Sequence, residues 1–110
     1  MGLAASQARF LMLTARKSDL EMQGQAINQY RMALANAIGK LLNNQAAMDD
    51  PESAQAQSLQ KQVESLQQVD KRLELMLRRV DTQQQAVQTE IQAVQKVIDK
   101  NIDMSFKTFA

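Results

Sequence analysis

Between Met1 and Asp50 one row of aliphatic residues recurs at strict intervals of seven: Leu13, Leu20, Ile27, Leu34 and Leu41. Phe10, Tyr30, Ala37 and Ile38 lie three or four residues from members of that row and widen it into a stripe. An apolar stripe at this period is the seam of a packed helix. A second run follows Pro51. Leu59, Leu66, Leu73, Val80, Val87 and Val94 occupy one row of its heptad, and Val63, Leu77, Ile91 and Ile98 occupy the other, with Asp70 and Gln84 as polar interruptions. A single polar residue in such a row sets register at some cost in stability, and that reading is preferred here over a ligand-binding role. After Ile98 the spacing shifts to Ile102, Phe106 and Phe109. A four-residue step of this kind is a stutter that locally unwinds a supercoil.

The one break in the pattern with a mechanism behind it is Asp49-Asp50-Pro51-Glu52. Asp50 can cap the free N–H groups of a new helix, Pro51 suits its first position, and Glu52 is favoured by the positive end of the helix dipole. Gly39 and Asn43-Asn44 loosen the preceding segment. The expectation is one domain over residues 1–110, with a first helix over about 3–46, a turn over about 47–50 and a second helix over about 51–106. So short a link makes the helices antiparallel neighbours. The fold class is therefore all-α: a long antiparallel helical hairpin, or two-helix coiled coil. Ser18-Asp19-Leu20-Glu21 also reads as a capping box, which would restart the first helix near Lys17-Ser18. Gly24, inside that helix, marks a close backbone approach more readily than a hinge.

Composition agrees with this pattern. The chain has three Gly, one Pro and no Trp, and is rich in Gln, Leu, Ala, Met and Lys, which lose little rotamer freedom in a helix. Thirteen basic and twelve acidic residues are interspersed and leave a net charge of +1, which argues against nucleic acid as a partner. With no His and no Cys, the commonest general base, metal ligand and activated nucleophile are missing. The chain is accordingly expected not to be an enzyme and to need neither metal nor cofactor. Carboxylates at helical spacing, such as Asp99 and Asp103, alternate with Lys96 and Lys100 as a solvated charged face. Seventeen Gln lie mostly on the outer faces of the second helix, as neutral surface or as lateral packing surface.

No apolar run approaches the roughly 20 residues of a transmembrane span. "FLML" is too short for the apolar core of a signal peptide, so the compartment stays open between cytoplasm and export without such a signal. Met1 to Ser6 fits the permissive myristoylation pattern, and the acid-free opening has something of a basic amphipathic presequence. Neither is the preferred reading.

The arms of the hairpin are unequal. At 1.5 Å per residue the first helix is about 65 Å long and the second about 85 Å. Folding back near Met48 would bring Leu3 level with Val94 and leave Val97, Ile98, Ile102, Phe106 and Phe109 without a partner in their own chain. Leu11 and Met12, like Val69, Leu75, Met76 and Met104, also fall outside the narrow stripe. This apolar surface predicts a homo-oligomer. Side-by-side dimers would cover the middle of the hairpin, and head-to-tail contacts its C-terminal end.

A helix–loop–helix with Asp-Pro at the turn, a longer second helix and the C-terminal stretch "KVIDKNIDMSFKTFA" resembles the needle and axial subunits of type III secretion and flagellar-type systems. The resemblance covers about residues 35–110 and lies in layout; this chain is longer and lacks the Tyr-Gln pattern soon after the turn. It implies a structural subunit whose C-terminal helix makes many of the subunit contacts. The opening "MGLAASQARFLMLTARKSDLE" resembles that of uncharacterised bacterial proteins. The functional expectation is a self-associating structural protein, a subunit of a secretion-type filament or of its basal structure. The alternative is a soluble adaptor or chaperone that offers its seam to a partner helix.

Overall fold

The computed structural model describes residues 2–109, with side chains described for residues 2–107. It contains two helices, α1 (Leu3–Ala46) and α2 (Ala54–Phe109), and no strand among the described residues. The fold is an all-α antiparallel helical hairpin. Phe109 was expected to belong to the contact surface, and its side chain lies outside the described residues.

α1 runs without interruption through Lys17 and Ser18, so the helix does not restart there. Ser18, Asp19 and Glu21 are all exposed, and residues of a capping box that face water leave the backbone free to stay helical. Gly39 and Asn43-Asn44 also lie within α1. The helix ends where Met48 donates its N–H to the Gln45 carbonyl at 3.2 Å, a tightened last turn.

The second helix begins at Ala54, three residues after the expected start at Pro51. The difference lies in how the donors of the turn are satisfied. Asp50 Oδ1 accepts from the Glu52 N–H at 2.9 Å and so closes a local turn around Pro51. Ser53 Oγ accepts from the Ala56 N–H at 3.2 Å, which makes Ser53 the N-cap. The connection thus occupies residues 47–53.

The helices divide into two packed units. Unit 1 is Met1–Gln23 with Val80–Ala110, and unit 2 is Gly24–Arg79. In unit 1, Arg9 meets Glu90 at 3.4 Å, and Ser6 lines one groove with Val94 and Val97. Position therefore rises along α1 as it falls along α2. In unit 2, Arg31 meets Asp70 and Gln45 meets Gln60 in the same antiparallel sense.

The seam residues supply the core. Leu13, Leu20, Val80, Val87, Ile91 and Val94 are buried in unit 1, and Ile27, Leu34 and Val63 in unit 2. Leu41, Leu59, Leu66, Leu73 and Leu77 are half-buried, because two helices alone cannot enclose every side chain of a seam. Two members were missed by the heptad reading although its spacing reaches them. Ser6 stands seven residues before Leu13 and is fully buried, and Ala56 stands seven before Val63 and is 1% exposed. The Ser6 hydroxyl finds no hydrogen-bond partner, which is unfavourable by about 1–3 kcal/mol.

The packing predicts a contrast between two leucines. Leu20 is 4% exposed and Leu75 is 60% exposed. Leu20→Ala should cost about 2–5 kcal/mol and Leu75→Ala about 0.5 kcal/mol or less, read by urea denaturation of dilute protein. Equal losses would contradict this assignment of faces.

Candidate interaction surface

In unit 1 the end of α2 outruns α1. The Arg9–Glu90 pair places Phe10 beside Ile91, and one heptad further out Leu3, the first residue of α1, comes beside Ile98. Ile98 and Asn101 are half-buried accordingly, and residues 102–107 are all exposed. The uncovered segment begins about one helical turn later than a fold-back at Met48 would give, because the connection extends to Ser53. Val97, expected to lack a neighbour, lines a groove with Ser6 and Arg9 and stays 38% exposed, and Ile98 is half-buried beside the first turns of α1. Ile102, at 46% exposure, and Phe106, at 77%, have no such cover.

Leu11 and Met12 are exposed on α1. Met12 lines a groove of about 660 Å³ in unit 1, walled by Ala5, Ala8, Leu13 and Arg16 from α1 and by Gln83, Ala86, Val87 and Glu90 from α2. In unit 2, Met32, Ala35, Ile38, Gly39 and Leu42 line a second groove beside Arg31 and Asp70. The two helices differ in how apolar residues are distributed around them. α2 is sharply amphipathic, whereas α1 carries apolar residues around its whole circumference. A helix of the latter kind is usually covered on more than one side.

The polar interruption at Asp70 has a partner in the facing helix. The Arg31 guanidinium donates to both carboxylate oxygens, Nε to Oδ1 at 2.9 Å and an Nη to Oδ2 at 3.3 Å. Arg31 stands on the seam row that runs through Phe10, Lys17, Gly24 and Ile38, and extending that row by sevens would have found it. Both side chains are half-buried. The hydrogen bond from Arg31 holds the Asp70 carboxyl below its ordinary pKa, burial opposes this, and the arginine charge reinforces it. The same hydrogen bond raises Arg31 above its ordinary value. Lys17 and Gln84, at two further polar seam positions, are half-buried in unit 1.

Among the described residues no cluster of His, Cys, Asp and Glu could hold a metal ion, and no helix is long and apolar enough to cross a membrane. No known protein family, curated protein or solved structure matches the chain. The described surface carries exposed apolar residues and two apolar grooves.

Because Asp70 has a lowered pKa in the folded state, the unfolded chain binds more protons there as the solution becomes acidic. Its contribution to stability is complete above the ordinary aspartate pKa of about 4 and is lost as pH falls through the depressed value. The melting temperature of the native chain should exceed that of Asp70→Asn at neutral pH, and the gap should narrow as the pH falls below about 4. A gap that stays constant over that range would refute the pairing.

Proposed function

We propose that the chain is a non-enzymatic assembly protein, a helical hairpin that associates with copies of itself. The observation that carries this reading is the uncovered end of α2, where Ile102 and Phe106 face water beyond the reach of α1. The apolar circumference of α1 supports it, because each hairpin buries only one side of that helix. Neutral Gln side chains on α2 would pack laterally without the desolvation of charge. Within this class, the Asp-Pro turn, the longer second arm and the aliphatic-aromatic end of the chain favour a subunit of a secretion-type filament or of its basal structure. A second reading draws on the groove beside Met32, Ile38 and Leu42, which suits a partner helix and so an adaptor or chaperone.

Concentration separates these readings. An assembly subunit should show a molar mass that climbs past the dimer as concentration rises, measured by light scattering coupled to size exclusion. A mass that stays at the monomer or at one small closed oligomer would reject the assembly role.

A further inference from the structure

The uncovered end of α2 and the groove of unit 1 are complementary in character, and one chain cannot bring its own two together. α2 is helical without interruption to Phe109. Ile102 therefore lies about 18 Å beyond Glu90 at the groove, along a helix with no break that would let it turn back. Only another copy can bring this segment to that groove.

The charges agree with the match. Arg9 and Arg16 stand on the rim of the groove, and α1 carries no acidic residue before Asp19. Arg9 is paired with Glu90, whereas Arg16 forms no ion pair among the described residues. On the end of α2, Ile102 and Phe106 share a helical face, and Asp99 and Asp103 run along one edge of it. Both carboxylates are exposed, and neither is in an ion pair among the described residues. Lys96, Lys100 and Lys107 lie further round the helix, beyond the two carboxylates. Glu90 also lines the groove and offsets Arg9, so the charge match lies between Arg16 on the groove and Asp99 and Asp103 beside the apolar ridge.

We propose that the end of α2 docks into the unit 1 groove of a second copy, with Ile102 and Phe106 against Ala8, Met12 and Ala86 and with Asp103 against Arg16. The proposal rests on the self-association reading and names its contact. One end is donated and a different surface accepts it, so copies can join in succession.

The chain contains no cysteine, so a single introduced thiol is unique. Ser105→Cys and Ala8→Cys leave Ile102, Phe106 and Met12 in place, and Met76→Cys, exposed in unit 2, serves as the control. Each pair is mixed at a concentration where the intact protein associates and is then mildly oxidised. The expected result is a disulfide-linked heterodimer of the Ser105→Cys and Ala8→Cys chains, in excess over either homodimer and over the pairing of Ser105→Cys with Met76→Cys. A yield no greater than the control overturns the contact. A parallel series measures affinity: Arg16→Glu should weaken association roughly tenfold or more, and adding Asp103→Arg to that chain should restore it. Unchanged association in Arg16→Glu, or failure of the second change to restore it, also overturns the proposed pairing. If the intact protein is monomeric at every concentration, the self-association reading fails together with this one. If it associates and the thiols do not join, only the contact fails.

Discussion

The antiparallel seam is the constraint on which the rest of this structure depends. The chain is too polar on α2, and too poor in aromatic residues, to form a core in any way other than by laying one apolar row against another. In unit 1 that contact buries Leu13, Leu20, Val87 and Val94, and in unit 2 it buries Ile27, Leu34 and Val63. Most of the helical stability comes from this packing rather than from intrinsic propensity. Arg31 and Asp70 add direction to the packing of unit 2. Sliding that helix pair by one heptad would part the two charges and set Arg31 against Val63 or Leu77, which is unfavourable for a half-buried charge.

The register has a consequence outside the core. Once Arg9 lies beside Glu90, α1 is used up near Ile98, and Ile102 and Phe106 lie exposed beyond its end. The same packing leaves the second apolar side of α1 open, with Met12 and its neighbouring alanines forming a groove. Core and surface are therefore not independent. The alignment that satisfies the seam creates both a donor segment and an acceptor surface. A longer α1 would cover the first, and a more amphipathic α1 would remove the second.

Much of this was legible in the chain. Strict sevenfold spacing identified the rows from Leu13 to Leu41 and from Leu59 to Val94, and Asp50-Pro51 located the connection. The start of α2 was less legible, because Asp50, Pro51 and Ser53 all suit a helix start and only the hydrogen bonds assign Asp50 to the turn and Ser53 to the cap. Ser18-Asp19-Leu20-Glu21 looked like a start for a local reason, yet tertiary burial of Leu13 before it and of Leu20 within it keeps α1 continuous. Arg31 and Ser6 were missed because a search for apolar residues passes over charged and small ones, although both stand in the heptad rows. The grooves were not legible, since they arise only when two helices lie side by side.

The central claim is that Ile102 and Phe106 are exposed in the single chain and become covered by another copy. Amide hydrogen exchange of these residues, measured on dilute and on concentrated protein, tests it most directly. The account predicts fast exchange at the dilute limit and slower exchange at high concentration, with side chains around Ala8 and Met12 becoming less accessible over the same range. Equal protection of residues 102–107 at both concentrations, in a protein that does associate, would contradict it.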